Sequence, residues 1–236
     1  PCARRRTARS SWRFPGTTMP AAVLLGMIVS RAPLRVSFLG GGTDLRAFHE
    51  HQPGCVLSTA IDYHVQIAVN PSWDHRLRAA YSVTEIVDTV GELKNERIRE
   101  CLRLVGIEGR VEVVSISDVP SSGTGLGSSS SFTVALLHAL HAFQGTYVSA
   151  ERLAREACEV EIERCGCPIG KQDQVIAAHG GLQFIEFLPD GAVRVEPVIC
   201  LPSTRSTLQA SLLLFYTGVT RSADGILTEQ RANTVG

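Results

Sequence analysis

The stretch PSSGTGLGSSSS, residues 120–131, decides the fold, because it joins a predicted strand to a predicted helix. Before it, RVEVVSI at residues 110–116 has the composition of a strand. After it, helical spacing from Ser128 predicts a buried stripe of Phe132, Ala135, Leu136, Ala139, Leu140 and Phe143. Glycines let the backbone approach a ligand closely, and the free N–H groups of a helix start attract anions. The segment therefore predicts a phosphate-binding loop.

Better-known glycine motifs do not fit this loop. A P-loop needs a lysine after its last glycine, but serines follow Gly127. A dinucleotide fingerprint needs glycine where Ser128 stands, and a nucleophile elbow needs glycine where Ser131 stands. A flexible Gly/Ser linker has a similar composition, but this loop directly joins two regular elements.

The overall composition describes a folded chain with no charge bias. Of 236 residues, 44% are hydrophobic and 19% charged, and Lys+Arg and Asp+Glu number 23 each. This balance creates no global field for nucleic acid or an anionic membrane, so we expect neither partner. The seven cysteines are scattered, which favours a reducing cytoplasm over a disulfide framework. Nothing in the sequence indicates an oligomeric state.

The chain divides into three predicted parts. Residues 1–27 hold five arginines and no acid, so we interpret them as a disordered leader or a spurious extension before Met27. Residues 28–215 are expected to form one α+β domain, a mixed sheet packed against helices. Its predicted strands include 29–39, a pair at 55–61 and 63–69, and SLLLFYTG at 211–218. The last part, residues 216–236, is read as the beginning of a further domain.

A carboxylate stands on the apolar face of the helix predicted over residues 149–164. At about 100° per residue, Glu161 falls in the middle of an apolar stripe running from Leu153 to Ile162. The carboxylates predicted to face solvent are Glu156, Glu159 and Glu163. A buried carboxylate must be paired, protonated or bound to a metal. A structural salt bridge and exposure at a helix end are therefore alternatives to a metal site.

Three separated motifs together resemble a known superfamily. The loop, the opening RAPLRVSFLGGGTD (residues 31–44) and PIGKQDQ (residues 168–174) resemble the N-terminal landmarks of the GHMP small-molecule kinases. That superfamily includes galactokinase, homoserine kinase and mevalonate kinase. Within it, the GGGTD variant, GLGSSSSFTV and GKQDQ are most similar to kinases of D-glycero-α-D-manno-heptose 7-phosphate. The resemblance runs from about Met27 to the end of the chain and implies a GHMP-kinase N-terminal domain.

The resemblance also implies which residues bind ATP and Mg²⁺. The implied nucleotide-binding residues are Pro120, Gly123, Gly125, Leu126, Gly127, Ser128, Ser129 and Ser130. Mg²⁺ is implied between Glu161 and Ser129, or a serine next to Ser129. Asp173, twelve positions after Glu161, is implied as the catalytic base, with Arg35 stabilising charge beside it. The implied sugar-binding residues are Gly41, Gly42, Thr43 and Asp44.

From the residues alone, each of these side chains has an ordinary alternative. Asp173 could cap the helix DQVIAA, Asp44 could form an Asx turn, and Arg35 could be a surface arginine on a strand edge. The resemblance favours the catalytic interpretation in each case.

The implied reaction is ATP-dependent phosphorylation of the anomeric hydroxyl of a sugar phosphate. The expected substrate is D-glycero-D-manno-heptose 7-phosphate, giving the 1,7-bisphosphate of nucleotide-heptose biosynthesis. The alternatives are a fucokinase or galactokinase-like enzyme, and a non-catalytic truncated relative. The superfamily's C-terminal glycine-rich motif does not follow Thr217-Gly218, so most of the C-terminal domain is expected to be missing.

Overall fold

The computed structural model describes residues 26–120 and 124–215. Its strands are β1 (Ile28–Leu39), β2 (Gly54–Pro71), β3 (Leu77–Ala80), β4 (Thr84–Val87), β5 (Val111–Ser117), β6 (Leu182–Phe187) and β7 (Val193–Pro197). Its α-helices are α1 (Arg46–His49), α2 (Glu96–Val105), α3 (Ser128–Phe143), α4 (Ala150–Cys158), α5 (Gln172–His179) and α6 (Pro202–Ser211). A 3₁₀ turn spans Val90–Glu92, and a π-helical segment, Glu159–Arg164, directly continues α4.

The long strand β2 organises a single mixed sheet. The strand order is β4-β3-β5-β2-β6-β7, and β1 pairs with β2 outside this path. The β1 pairing is antiparallel and runs from Ile28↔Val69 to Leu39↔Leu57. The second half of β2 pairs with β5, while its first half pairs with β6. The only parallel pair among the described strands is β3 with β5. The prediction of an α+β fold with a mixed sheet is confirmed.

Helix α3 lies at the centre of the packing and contacts the sheet through β1 and β2. Leu136 and Leu140 of this helix are fully buried, as are Leu34 of β1 and Ile67 of β2. Helices α2, α4 and α5 pack around α3. Most of the stripe predicted for α3 is buried, and Phe132 is only partly so. This packing fixes the N-terminus of α3, and with it the end of the glycine loop, relative to β1 and α5.

The two strands predicted at 55–61 and 63–69 are in fact one continuous strand, so that prediction is wrong. In the pairing with β1, Pro33 is opposite His64, whereas the next residue, Leu34, is opposite Ile61. Asp62 and Tyr63 are therefore extra residues in a bulge. A bulge and a turn both interrupt the alternation of side chains along a strand. The sequence pattern therefore does not distinguish a bulge from a turn.

The predicted strand at 211–218 is also wrong over its described part. Ser211 ends α6, and residues 212–215 have no regular structure. The apolar run there matched a buried strand in composition, but its leucines are exposed and pair with no described strand. The rest of that prediction lies outside the described residues, as do the last predicted part, 216–236, and all of the predicted leader except Gly26 and Met27.

The helix predicted over 149–164 is α-helical only as far as Cys158. Ser149 caps its start, because the Ser149 side chain accepts a hydrogen bond from the backbone N–H of Arg152 at 3.3 Å. Beyond Cys158 the wider π turn changes the direction in which side chains point. In the part of the chain that the structure describes, no helix has the length and apolar character needed to cross a membrane.

Candidate active site

An arginine–aspartate pair joins β1 to α5 at the centre of the site. Arg35 Nε donates to Asp173 Oδ1 at 2.6 Å, and Arg35 Nη2 donates to Asp173 Oδ2 at 2.8 Å. The two side chains remain 14% and 22% exposed, respectively. Two parallel charge-assisted hydrogen bonds fix the carboxylate in one orientation. The structure thus brings together two residues 138 positions apart that the sequence predicted to act together.

The glycine loop lies directly against this pair. Arg35 Nη1 donates to the carbonyl oxygen of Gly125 at 2.6 Å, and the backbone N–H of Arg35 donates to the carbonyl oxygen of Leu126 at 3.0 Å. Gly127 has φ +75°, and a Cβ there would lie 3.2 Å from both Arg35 Cγ and Asp173 Oδ2. Only glycine combines this backbone conformation with so close an approach. The loop therefore places the N-terminus of α3 beside the carboxylate of Asp173.

The end of β1 turns through the GGGTD segment and places Asp44 near Asp173. Asp44 is 3% exposed, its Oδ1 accepts from Gly42 N at 3.1 Å, and its Oδ2 accepts from Gln172 N at 3.1 Å. Burial raises the pKa of the Asp44 carboxyl, and the nearby charge of Asp173 acts in the same direction. Gly170 packs tightly here, since a Cβ on it would lie 1.9 Å from Asp44 Oδ2.

Thr43 supports this turn through its hydroxyl group. Thr43 Oγ1 donates toward the carbonyl oxygens of Gly40 at 2.8 Å and Cys55 at 3.0 Å, and it accepts from Cys55 N at 3.0 Å. The Thr43 side chain is thus engaged with the backbone, and the sugar contact expected of Thr43 is one of its backbone groups. Gly41, by contrast, has open space at its Cβ position, where the nearest atom is Gln172 Nε2 at 4.0 Å.

Gln172 is a residue of this region that the sequence reasoning missed. Its backbone N–H holds Asp44, while its side-chain Oε1 is buried and accepts no hydrogen bond from any described residue. A buried amide oxygen without a donor is costly, which suits an atom that meets a polar ligand. The sequence signal that could have identified Gln172 is its position directly before Asp173, the implied catalytic base.

Glu161, in the π-helical segment, is fully buried and contacts the first turn of α3. Its Oε2 accepts from Ser130 Oγ at 2.7 Å and from Gln174 Nε2 at 2.6 Å, and its Oε1 accepts from Arg97 Nε at 3.0 Å. The burial predicted for Glu161 is confirmed. The serine that contacts it is Ser130, a neighbour of the expected Ser129. Arg97 and Gln174 were missed, because neither lies close enough in sequence for helical spacing to reveal it.

The prediction that Glu156 faces solvent is wrong. Glu156 is 7% exposed, and its carboxylate interacts with His141 Nε2 at 2.6 Å and accepts from Arg152 Nε at 2.7 Å. Burial by itself raises the pKa of Glu156, but the hydrogen bonds from Arg152 and His141 outweigh it and lower the pKa. Because α4 contacts both α3 and α5, it has no single solvent side along this stretch.

A cavity of about 410 Å³ opens beside the N-terminus of α3. Ser128 and Ser129 line it, together with Arg97 from α2 and Ser115 from β5. In this part of the chain no described side chain caps the start of α3. The first N–H groups of a helix have no partner within the helix and favour an anion. Small polar walls and a helix N-terminus suit the phosphates of a nucleotide.

The remaining predicted loop residues are only partly described. Pro120 is the first residue of the loop, and Gly123 lies outside the described residues. Gly125 and Leu126 accept hydrogen bonds from Arg35, as described above. Thr124 Oγ1 is buried and has no hydrogen-bond partner among the described residues. An unpaired hydroxyl at this position is a further donor toward an anion.

Comparison with known proteins finds a kinase family similar to part of this chain. Residues 87–181 match the sequence profile described as GHMP kinases N terminal domain. This stretch of the chain is similar to the N-terminal domain of GHMP kinases. The matched residues include the glycine loop, α3, Glu161 and Asp173. Arg35 and Asp44 lie before the matched range, and the structure brings them to the same site.

Similar proteins include sugar kinases. D-glycero-alpha-D-manno-heptose 7-phosphate kinase of Campylobacter jejuni is 27% identical over 220 residues, covering 84% of this chain and 62% of that protein. L-fucokinase/L-fucose-1-P guanylyltransferase of Bacteroides fragilis is 27% identical over 243 residues, covering 86% of this chain and 25% of that protein. This chain therefore spans less than two thirds of either relative.

A solved structure has the same fold over most of the chain. It is described as a D-glycero-D-manno-heptose 1-phosphate kinase from Bacteriodes thetaiotaomicron, and it matches with a TM-score of 0.75 and 25% identity. The match covers 88% of this chain and 70% of that one. The mixed sheet with its central α3 is thus the GHMP-kinase fold.

Proposed function

We propose that this domain transfers a phosphoryl group from ATP to a hydroxyl of a sugar phosphate. The observation that carries the proposal is the Arg35–Asp173 pair, held at 2.6 Å and 2.8 Å directly beneath the glycine loop. It places a fixed carboxylate beside the helix N-terminus that would receive the nucleotide's phosphates. A carboxylate in that place can accept the proton of an attacking hydroxyl.

Asp173 would act as the base and Arg35 as its partner. The guanidinium holds both carboxylate oxygens, but each oxygen has a second lone pair with which to accept a substrate proton. Arg35 holds the carboxylate in place before proton transfer. It also stabilises negative charge that develops on the attacking oxygen, because it is fixed in place before the reaction.

Glu161 and Ser130 suit a hard divalent cation such as Mg²⁺. They offer oxygen ligands, and no group of three His, Cys, Asp or Glu side chains converges within residues 26–120 and 124–215. Mg²⁺ commonly binds through one or two carboxylates and the phosphates of its nucleotide. When bound, it would neutralise charge on those phosphates. Ser128 and Ser129 line the cavity in which the nucleotide would lie.

Asp44, Gly42 and Gln172 would recognise the sugar. Asp44 and Gln172 would offer acceptor oxygens, and a Cβ on Gly41 would meet no atom closer than Gln172 Nε2 at 4.0 Å. Thr43 would support this site by fixing the turn through Gly40 and Cys55. Backbone and carboxylate groups at fixed positions suit a ring with several hydroxyls.

A heptose phosphate is the preferred substrate, on the strength of the relatives. One relative is named a 7-phosphate kinase and the solved structure a 1-phosphate kinase, so the two names place the phosphate on different carbons. We favour the 7-phosphate, with transfer to the anomeric hydroxyl. We place the reaction in the cytoplasm, because the scattered cysteines favour a reducing compartment.

The second candidate is fucose phosphorylation, which the Bacteroides fragilis relative favours. The test is ADP release with heptose 7-phosphate, heptose 1-phosphate, fucose or galactose as acceptor. Asp173→Asn should lower kcat by about 10²-fold or more, since it removes the proton acceptor. Asp62→Asn is the matched control, because that carboxylate is fully exposed on the β2 bulge. Turnover by Asp173→Asn within a few-fold of the Asp62→Asn value would refute the proposal.

A further inference from the structure

Both oxygens of the buried Glu161 carboxylate are already engaged. Ser130 and Gln174 contact Oε2 at 2.7 Å and 2.6 Å, and Arg97 Nε contacts Oε1 at 3.0 Å. A divalent cation and a guanidinium compete for the same oxygen and repel each other. A metal can therefore reach this carboxylate with full effect only if Arg97 gives up its position.

Arg97 is the partner of Glu161 with the most exposed side chain, and its Nη2 also contacts Cys167 Sγ at 3.6 Å. Ser130 and Gln174 are fully buried, whereas the Arg97 side chain is 34% exposed. Arg97 also lines the 410 Å³ cavity beside Ser128 and Ser129. Its guanidinium thus stands between a buried carboxylate on one side and the space for a nucleotide on the other.

The position of Arg97 in its helix requires an explanation of its own. It lies in the first turn of α2, where Asn95 caps the helix by accepting from Ile98 N at 3.1 Å. A positive charge near a helix N-terminus is unfavourable, because the helix dipole is positive there. The ion pair with Glu161 compensates for the unfavourable interaction of Arg97 with the helix dipole. Contact with the phosphates of a nucleotide would compensate for it as well.

We propose that Arg97 and a divalent cation exchange places at Glu161 during nucleotide binding. Without ligand, Arg97 is the counter-ion that keeps the buried carboxylate compensated. When the metal–nucleotide complex binds, the cation takes over that role and the guanidinium turns into the cavity toward the phosphate oxygens. The inference rests on the proposed function and adds a positioning residue to it. Because Arg97 competes with a free cation at Glu161, the free cation should bind weakly. The metal–nucleotide complex should bind more strongly, because its phosphates give Arg97 a new partner.

The first test measures Mn²⁺ binding to the full chain by electron paramagnetic resonance, without nucleotide. Arg97→Gln should bind Mn²⁺ about tenfold or more tightly than the wild type, because the competing cation is gone. Arg97→Lys keeps the charge and should remain close to the wild type. An Arg97→Gln affinity equal to or weaker than the wild-type affinity would overturn the exchange.

The second test follows Arg97 in the wild-type protein. In protein labelled with ¹⁵N-arginine, the Arg97 Nε–H resonance, assigned through Arg97→Lys, should be protected from solvent exchange in the free protein. Mg²⁺ with the non-hydrolysable ATP analogue AMPPNP should shift this resonance and remove the protection. An unchanged Arg97 resonance in the saturated complex would contradict the proposal.

Glu161→Gln separates this inference from the proposed function. If Glu161→Gln weakens Mn²⁺–AMPPNP binding while Arg97→Gln leaves free Mn²⁺ binding unchanged, the metal site stands and the exchange fails. If Glu161→Gln leaves Mn²⁺–AMPPNP binding unchanged, the metal site of the proposed function fails, and the exchange fails with it.

Discussion

Asp44 shows at the scale of one residue how the site departs from an ordinary surface. Its carboxyl is buried beside a second carboxylate, and its pKa is raised from the ordinary value of 3.8. Ionisation of Asp44 therefore costs more in the folded chain than in the unfolded one. Backbone N–H groups of Gly42 and Gln172 offset part of that cost.

The raised pKa of Asp44 predicts a pH-dependent stability difference. Below pH 3.8 both states carry a neutral Asp44, so the residue contributes no pH dependence. Above 3.8 the unfolded chain ionises first, and the free energy of unfolding of the wild type should fall relative to Asp44→Asn until the folded carboxyl has also ionised. Urea unfolding of both proteins between pH 3.5 and 7 measures this difference. A difference that stays constant or rises with pH would show that the pKa is not raised.

Gly127 predicts an effect on activity separable from backbone strain. Gly127→Ala and Gly125→Ala both place alanine at positive φ, +75° and +69°, at a cost of about 1 kcal/mol each. Only the Gly127 Cβ would press on Arg35 and Asp173, at 3.2 Å, while the Gly125 Cβ would meet nothing within 4 Å. We expect kcat/KM to fall about tenfold further in Gly127→Ala than in Gly125→Ala.

Chemical denaturation of the two alanine variants gives the control for that comparison. Similar free energies of unfolding with unequal kcat/KM would support a direct effect on the Arg35–Asp173 pair. Equal kcat/KM values would mean that the loop does not position the pair.

The choice among the loop's serines shows what sequence could not determine at this scale. Four consecutive serines offer the same hydroxyl, and which one faces Glu161 depends on the angle at which α3 begins. That angle follows from Gly127 at φ +75° and from the packing of α3 on the sheet, and the structure brings Ser130 to Glu161. Arg97 comes from α2, 64 positions before Glu161, and no local pattern connects the two.

At the scale of elements, the junction between α4 and the π-helical segment decides where two glutamates point. A continuous α-helix over 149–164 predicted a buried Glu161 and an exposed Glu156, and both are buried. Neighbours determine the outcome for Glu156, because His141 of α3 and Arg152 of α4 both contact it. Helical periodicity shows which face is apolar, but not that a second helix covers the polar face.

Glu156 and Glu159 give a matched pair of substitutions in this region. Glu156→Gln should lower the free energy of unfolding by about 1–3 kcal/mol, because it breaks a buried network between α3 and α4. Glu159→Gln removes an exposed pair with Arg164 and should cost at most about 1 kcal/mol. Urea denaturation at pH 7 compares the two. A larger loss for Glu159→Gln would contradict the assigned roles.

At the scale of the whole molecule, the site is assembled from segments far apart in sequence. β1 supplies Arg35, the turn after it supplies Asp44, α3 supplies Ser130, and α5 supplies Asp173. The bulged strand β2 joins these parts, since it pairs with β1, β5 and β6. Short apolar runs predicted most strands in place, but they could not predict the order β4-β3-β5-β2-β6-β7, which depends on long-range pairing.

The most direct measurement is a crystal structure of the chain with Mn²⁺ and AMPPNP, using the anomalous signal of manganese. We predict a manganese peak within coordination distance of Glu161 and Ser130, phosphates at the first turn of α3, and Arg97 turned toward them. Asp173 should face the terminal phosphate across the position of the acceptor hydroxyl. A manganese peak away from Glu161, or phosphates bound elsewhere on the domain, would contradict the proposed metal and nucleotide sites.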